Sequence, residues 1–388
     1  MRLREVGIRH FRNLAVQELE IPPEGFALIG ENAQGKSNFL EAVYYLETFR
    51  SFRGAPDEQL VAVGQEAFRV SGVLAEATSE SERRVTAAYQ LRGKRKKVTV
   101  DGAEVDRLGD ALGSLAAVIF SPTDVELVSG GPAERRRYLD IMLSLNVPGY
   151  VRALQQYRHV LAQRNAALRE AARGGGTGGA AVAAVRAWDD GLVRWGARLV
   201  IERRQWIEER CGLFRTLYEA VAADGQGAGL RYEPGIPLGG GTHDAIGEDD
   251  IAAAFREALA VPRTAERELR VGSTVVGPHR DDLEVTLEGD AGRLDARAFG
   301  SGGQRRTAAL ALRLLEARTI RDRRQRSPLV LVDDVFAELD EGRSERALDL
   351  LEREETGQVI LTAPKASDIR LKRDALPRWR IAAGRIET

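Results

Sequence analysis

The sequence predicts an α/β fold in which a parallel-sheet head, accompanied by an antiparallel sheet, is interrupted by an inserted arm of long helices. A glycine-rich loop at residues 30–37 (GENAQGKS) lies between an apolar run and a helical pattern. A second apolar run, at residues 329–332, ends in two aspartates. Between these runs, residues 132–173 and 180–223 have the composition of long helices. We therefore expect both ends of the chain to build one head.

The glycine-rich loop fits the pattern G-x-x-x-x-G-K-[ST]. Residues 26–29 can form a buried strand before it, and residues 38–49 (NFLEAVYYLETF) have apolar side chains at helical spacing. Backbone N–H groups of such a loop, with the positive end of the helix, can hold β- and γ-phosphates. Lys36 would reach these phosphates, and Ser37 would offer its hydroxyl to Mg²⁺. The loop predicts a nucleotide site; a glycine-rich turn without a ligand is the less favoured alternative.

The second apolar run follows Pro328 and is typical of a strand buried on both faces of a parallel sheet. It ends in Asp333 and Asp334, and successive side chains of a strand point to opposite sides. We assign Asp333 to Mg²⁺ and Asp334 to polarising the attacking water. The alternative, an acidic pair that only closes a strand, is weakened by the phosphate loop.

A third motif, SGGQ, opens the helical stretch RRTAALALRLLEAR and would place exposed amides at a helix N-terminus, where anions bind. The three motifs together resemble the ATP-binding-cassette ATPases. In those proteins, this serine binds the γ-phosphate of ATP held by the opposite protomer. The resemblance implies a two-fold homodimer with two equivalent sites, in which Lys36, Asp334 and Ser301 are catalytic. A glycine-rich helix cap is the alternative interpretation of SGGQ.

Length and composition limit the protein class. The chain has 388 residues, 43% of them hydrophobic, which suffices for two or three domains. No apolar run approaches the ~20 residues of a membrane span, so we expect no membrane partner. The one cysteine, Cys211, fits the reducing cytoplasm, and with four histidines it makes no zinc-binding spacing.

Charge bears on nucleic-acid binding. The net charge is -1, so any DNA site must be a local patch or must form across a dimer. Residues 94–97 (KRKK), just before an Asp101-Gly102 turn, are a candidate for phosphate contact. A solvated hairpin tip is an equally good interpretation of this run.

The chain divides into three predicted parts. Residues 1–125 form the N-terminal part of the head, residues 126–265 the helical arm, and residues 266–388 the C-terminal part of the head. Within the arm, the GGGTGG run at residues 174–179 predicts a flexible connector, and strand character returns at residues 271–276. Alternating runs predict an antiparallel sheet beside the nucleotide-binding one at residues 68–74, 84–91 and 97–100.

A series of further motifs covers essentially the whole chain. They are FRN at 11–13, GENAQGKSNFLEA at 30–42, SFR at 51–53, FSP-D at 120–124, GGPAERRRYLD at 130–140, GPHRDDL at 277–283, SGGQRR at 301–306 and LVDDVFAELD at 331–340. Together with the layout, these motifs resemble the RecF family of recombination mediator proteins, which are relatives of the structural-maintenance-of-chromosomes ATPases with a short helical arm.

This resemblance implies ATP- and Mg²⁺-dependent homodimerisation on DNA at single-strand gaps and their junctions with duplex. It also implies weak, DNA-stimulated ATP hydrolysis that resets the dimer, and cooperation with RecR and RecO to help RecA load during DNA repair, recombination, replication and the SOS response. By the same resemblance, residues 338–340 touch the other protomer, and the metal is held by Ser37 and Asp333. The nucleotide-contacting positions implied are Arg12, Asn13, Gly30, Glu31, Asn32, Ala33, Gln34, Gly35, Lys36, Ser37, Asn38, Arg53, Ser301, Gly302, Gly303, Gln304, Asp340 and Thr362. Arg12 and Arg53 have the alternative of being ordinary surface arginines.

The chain departs from the pattern of related heads at three points. Ala33 stands where many have glycine, which is tolerated if its φ is not positive. No clear counterpart exists for the glutamine that couples Mg²⁺ to a partner domain; Gln34 lies inside the loop, and the FSP segment is a candidate location. Thr362 follows the last apolar run where a switch imidazole would stand and could hydrogen-bond phosphate instead, which predicts slow hydrolysis.

His279 and Arg280 in GPHRDDL allow a catalytic interpretation. A structural role is favoured, in which this turn positions the SGGQ helix through hydrogen bonds.

Two other classes carry the same head motifs. A transporter's ATPase subunit would need a surface for a membrane partner and no helical insertion. The head of a nuclease or chromosome-organising complex would need a longer coiled coil or a metallonuclease cluster, and the sequence has neither pattern.

Overall fold

The computed structural model describes residues 2–75, 81–173, 179–238, 246–289, 292–334, 341–353, 357–366 and 376–388. The strands are β1 Arg2–Arg9, β2 Gln17–Glu20, β3 Gly25–Ile29, β4 Ala67–Ala75, β5 Glu82–Gln90, β6 Arg95–Val100, β7 Ala103–Glu104, β8 Ala117–Phe120, β9 Ala228–Glu233, β10 Asp282–Gly289, β11 Gly292–Asp295, β12 Leu329–Asp333, β13 Val359–Ala363, β14 Arg378–Ala382 and β15 Arg385–Glu387. The helices are α1 Lys36–Thr48, α2 Leu108–Ala111, α3 Glu126–Ser129, α4 Pro132–Asn146, α5 Tyr150–Arg173, α6 Gly179–Arg186, α7 Asp189–Ala222, α8 Glu248–Ala260, α9 Pro262–Val271, α10 Ala296–Phe299, α11 Gly302–Arg324 and α12 Glu341–Arg353.

The described chain forms two compact units. The first, called here the head unit, combines Met1–Glu126, Thr216–Gln226 and Ser301–Thr388. The second, called the arm unit, combines Leu127–Arg215 and Gly227–Gly300. Both ends of the chain therefore lie in one unit.

The sheet that carries the phosphate loop has the order β15-β14-β3-β13-β12-β8. Its strands from β14 to β8 run parallel, and β15 pairs antiparallel at one edge. The residues of β12 and β13 are all buried, as expected for parallel strands covered on both faces. This sheet brings together strands from positions 25–29 and 329–363, which are far apart in the sequence.

An antiparallel sheet, β2-β1-β4-β5-β6-β7, stands beside the parallel one. Helix α1 connects their hydrophobic cores, since Tyr45 packs edge-on against Phe68 of β4 at 5.3 Å and Phe39 lies 5.8 Å from Phe26 of β3, between ring centroids. Trp379 of β14 stacks on Phe26 at 3.7 Å. One continuous apolar cluster thus supports the helix that follows the phosphate loop.

The arm unit combines helices with the three-stranded sheet β11-β10-β9. A buried guanidinium, Arg203 of α7, holds it together: Nη1 donates to Asp281 at 2.6 Å, Nη2 to Asp140 at 2.7 Å and Nε to the Tyr150 hydroxyl at 3.0 Å. Because burial of one partner without the others would leave an uncompensated charge, this cluster fixes how α4, α5, α7 and β10 pack.

Three details differ from the sequence prediction. The strand predicted at residues 271–276 is wrong, because α9 continues to Val271 and ends at Gly272 with a left-handed φ of 65°. The helical stretch 132–173 is divided at Pro148 and Gly149, the latter with φ 81°. Residues 266–300, assigned by sequence to the head, belong to the arm unit because β10 pairs with β9, whereas Thr216–Gln226 belongs to the head unit.

Candidate functional site

The candidate site lies where parallel strands end. The phosphate loop follows β3, Thr362 is near the end of β13, and Asp333 is the last residue of β12. Strand β13 lies between the other two, with Thr362 opposite Leu28 on one side and opposite Asp333 on the other. Carboxyl ends of parallel strands share one edge of a sheet, the usual ligand position in such folds.

The phosphate loop depends on glycine at two positions. Gly35 precedes α1 with φ 112°, a conformation strained for other residues. A Cβ on Gly30 would lie 2.5 Å from the carbonyl oxygen of Ile381, so only glycine fits beside β14. The loop then leads directly into α1, whose N-terminal amides are available to an anion.

The cation and the carboxylates of the site are close together. Lys36 Nζ donates to the carbonyl oxygens of Gly30 at 2.7 Å and Glu31 at 3.2 Å, and it lies 3.7 Å from Asp334 Oδ2. Burial raises the pKa of the Asp333 carboxyl, and a hydrogen bond from the Ser37 hydroxyl opposes this rise. Ser37 and Asp333 therefore form an oxygen pair of the kind that Mg²⁺ prefers.

The expectation that the two aspartates point to opposite sides is wrong. Thr362 Oγ1 lies 3.2 Å from Asp333 Oδ1 and 3.1 Å from Asp334 Oδ1, so both carboxylates reach one hydroxyl. The alternation rule holds only within an extended strand. β12 ends at Asp333, and Asp334 has a left-handed φ of 49° that turns its side chain back.

A buried carboxylate, Glu41 of α1, organises the arginines beside the loop. It is fully buried and accepts from Arg12 Nε at 2.9 Å and Nη2 at 3.2 Å, and from the Ser51 hydroxyl. Arg53 Nη1 lies 4.0 Å from Glu41, while its Nη2 lies 3.8 Å from Asp333. Arg53 therefore reaches the edge of the site, whereas Arg12 is held against α1.

The two asparagines continue this network to the loop. Asn38 accepts from Arg53 at 3.0 Å and donates to Asn13 Oδ1 at 2.8 Å, and Asn13 Nδ2 contacts the Ala33 carbonyl oxygen at 3.4 Å. FRN, the loop and SFR, which are separate in sequence, meet here.

Two residues of the phosphate loop, Ala33 and Gln34, differ in the structure from the sequence prediction. Ala33 has φ 66°, so the condition under which it would replace glycine without strain is not met; the left-handed region costs an alanine about 1–2 kcal/mol. The Gln34 side chain accepts from the Ala383 N–H at 2.6 Å and anchors the loop to the turn between β14 and β15.

SGGQ forms the N-terminus of α11, as predicted. Ser301 Oγ accepts from the Gln304 N–H at 3.2 Å, and the Gln304 side chain accepts from the Ser301 N–H at 2.7 Å, a reciprocal capping box. The Gln304 amide also donates to Gln226, which follows α7 within the head unit. Ser301 and Gly302 are exposed.

The predicted residues that remain are the loop at residues 338–340, the FSP segment and Thr362. Asp340 and residues 338–339 lie outside the described residues, as does most of the connector at 174–179. Ser121 of the FSP segment caps the turn after β8 in a capping box with Asp124, and Asp124 pairs with Arg313 at 2.7 Å. Thr362 is buried, and its hydroxyl contacts the carboxylates of the two aspartates.

Every cation of the basic run at residues 94–97 lies beside an acid. Lys94 pairs with Glu58 at 3.1 Å and Lys96 with Asp57 at 2.7 Å, while Arg95 and Lys97 both pair with Glu104, at 3.8 and 3.0 Å. This arrangement favours the interpretation as a hairpin surface over phosphate contact.

GPHRDDL contacts other parts of the arm unit. His279 hydrogen-bonds the Tyr157 hydroxyl at 2.7 Å and the Thr274 carbonyl oxygen at 2.9 Å, and burial lowers its pKa to about 4. Asp282 pairs with Arg135 of the RRRYLD motif at 2.7 Å. These contacts link the motif to α4 and α5, and the positioning of the SGGQ helix by this turn stays a prediction.

Sequence reasoning missed Glu41, Gln226 and Arg203. Glu41 had a visible signal, because a glutamate interrupts the apolar face of NFLEAVYYLETF. Gln226 and Arg203 had no visible signal in the sequence, because each forms hydrogen bonds with residues that are distant in the sequence.

No described helix is long and apolar enough to cross a membrane.

Comparisons with known proteins agree with this geometry. Residues 2–376 match the family described as RecF/RecN/SMC N-terminal domain. The chain is 39% identical over 353 residues to the DNA replication and repair protein RecF of Thermosynechococcus vestitus, covering 90% of this chain and 88% of that one. It is 35% identical to the protein of the same description from Geobacter sulfurreducens, covering 100% and 99%. A solved structure of the recombination mediator protein RecF-ATP in the RecFOR pathway has a TM-score of 0.87 at 31% identity, covering 99% and 96%. The predicted family resemblance and head fold are confirmed.

Proposed function

The chain belongs to the RecF family, within the RecF/RecN/SMC N-terminal domain proteins, and on that premise we propose that it is an ATP-dependent, DNA-binding recombination mediator. In this proposal, ATP and Mg²⁺ induce a homodimer that binds DNA at single-strand gaps and their junctions with duplex. With RecR and RecO, the dimer promotes RecA loading in the cytoplasm. Weak, DNA-stimulated ATP hydrolysis returns it to the monomer.

One observation carries the proposal: Lys36, Ser37, Asp333 and Asp334 converge at one sheet edge, at hydrogen-bond or ion-pair distance. This donor set fits ATP and Mg²⁺. Lys36 would exchange its carbonyl partners for phosphate oxygens, and Ser37 with Asp333 would hold the metal. Bound ATP supplies the phosphoric anhydride that is cleaved.

Hydrolysis would depend on Asp334. Its carboxylate is partly exposed and held by Thr362, so it could orient and polarise a water beside the γ-phosphate. Thr362 offers a hydroxyl and no titrating imidazole, which supports slow turnover suited to a timing switch.

Dimerisation would depend on Ser301. Its hydroxyl and the first amides of α11 are exposed at a helix N-terminus and are therefore accessible to the phosphates of ATP on a second copy. Lys36 of one protomer would then act with Ser301 of the other.

The proposal is tested by sizing the protein by light scattering with and without ATP, Mg²⁺ and gapped DNA. We expect a monomer without ATP and a DNA-bound dimer with it. A particle size that does not respond to ATP would refute the dimer switch.

Two substitutions test separately the roles of Ser301 in dimerisation and of Asp334 in hydrolysis. Ser301→Arg should abolish ATP-induced dimers while ATP binding to the loop persists; Gln65→Arg, an exposed position on the head unit, adds the same charge as a control. Asp334→Asn should trap the ATP-bound dimer, and an unaltered hydrolysis rate would exclude its assigned role.

A further inference from the structure

Helix α9 of the arm unit has an arginine stripe that is free of acid partners. Arg263, Arg267 and Arg270 are all exposed. Their side chains make no ion pair or hydrogen bond with any other described residue. Cations that are not neutralised internally are those available to an external anion.

The three arginines share one face of the helix. They occur at i, i+4 and i+7, so at 3.6 residues per turn they lie within a stripe about 60° wide. This stripe is opposite the side of α9 that carries the buried Glu268, which pairs with Arg164 of α5 at 2.8 Å. Glu266 is the one acid of α9 left exposed, so the stripe keeps a net positive charge.

The stripe continues onto α5. Arg169 of α5 is exposed, and a Cβ on Gly272, which caps α9, would lie 3.1 Å from its Cγ. The stripe contrasts with the basic run at residues 94–97, where every cation has an acid within 4 Å. Since the net charge of the chain is -1, a nucleic-acid site has to be local, and α9 meets that requirement.

We propose that the α9 stripe, Arg263, Arg267 and Arg270, binds the phosphate backbone of duplex DNA in the DNA-bound state. From Arg263 to Arg270 the helix rises about 10 Å, which matches about three phosphates of one strand at 3.4 Å each along the duplex axis. Flexible arginines that contact only phosphates carry no base code, so the binding is independent of sequence. This inference rests on the proposed DNA-binding function.

The test is the salt dependence of binding to a fluorescent duplex, measured by anisotropy with ATP and Mg²⁺ between 50 and 200 mM salt. In the variant with Arg263→Gln, Arg267→Gln and Arg270→Gln, the slope of log K against log salt should fall in magnitude by about 3 per protomer, since each phosphate contact contributes about 0.9. Affinity at 0.1 M salt should fall between about 10-fold and about 500-fold, the upper bound being the full counterion term for three contacts. Glutamine is a good helix former at exposed positions, and unchanged ATP affinity shows that the variant is folded.

The matched control replaces Lys94, Arg95 and Lys97 by glutamine. It removes the same charge from cations that are already paired, and we expect little change in slope. Equal losses in both variants would show an effect of total charge and overturn the assignment to α9. An unchanged slope in the α9 variant would overturn the inference and leave DNA binding by the protein intact, whereas no DNA binding by the unaltered protein would refute both.

Discussion

Replacing Glu41 by glutamine is expected to destabilise the surroundings of the phosphate loop. Glu41 is fully buried and accepts from Arg12 Nε and Nη2 and from the Ser51 hydroxyl, with Arg53 at 4.0 Å. Glutamine keeps the shape of the side chain but removes its charge. The two arginines then lose the carboxylate that both of them face.

The magnitude follows from burial. Breaking a fully buried pair costs about 3–5 kcal/mol, and hydrogen bonds to charged groups contribute about 1.5–3 kcal/mol. The side chains of Arg12 and Arg53 are 22% and 32% exposed and can be rehydrated. We therefore expect a loss of about 2–3 kcal/mol in the local unfolding free energy of α1.

Hydrogen exchange is the suitable assay, because a chain of two compact units has no single unfolding free energy. A loss of 2–3 kcal/mol makes amide exchange in α1 about 30- to 150-fold faster. Glu20→Gln, an exposed position on β2, is the matched control. Exchange in α1 that is equal in the two variants would refute the assigned role of Glu41.

Other predictions follow from strain, burial and capping. Ala33→Gly should stabilise the loop by about 0.5–1 kcal/mol, because it relieves the positive φ at some cost in chain entropy; lower thermal stability would contradict this. The pKa of His279 lies at about 4 in the folded protein against 6.5 unfolded, so protonation favours the unfolded state. The stability of the arm unit should fall as pH drops from about 6.5 to about 4, by about 2–3 kcal/mol, and His279→Gln should flatten that part of a pH profile of hydrogen exchange in α5. A profile that falls equally in the variant would assign the loss elsewhere. Gln226→Ala removes the hydrogen bond to Gln304 and should weaken the ATP-induced dimer by about 2- to 10-fold, with unchanged ATP binding in calorimetry; the same change in ATP affinity would instead indicate a general effect on folding.

Residues that are neighbours in the sequence determine several local elements of this protein. The phosphate loop, the strand before it and the helix after it are specified by neighbouring residues, because glycine conformation and apolar spacing act over short distances. The same holds for the capping box that Ser301 and Gln304 form at the start of α11. The strand, loop and helix around residues 25–48 and the start of a helix at SGGQ were predicted from the sequence, whereas the reciprocal hydrogen bonds of the capping box were not.

The tertiary structure decided which side chains meet. The turning of Asp334 toward Thr362 depends on where β12 ends, and the pairing of Glu41 with Arg12 and Arg53 depends on three segments packing together. Likewise, the basic run at residues 94–97 and α9 each carry several cations, and only the fold pairs the first with acids while leaving the three α9 arginines without a partner among the described residues. Ion pairs between distant residues require the chain to fold first, which is why composition and spacing could not predict them.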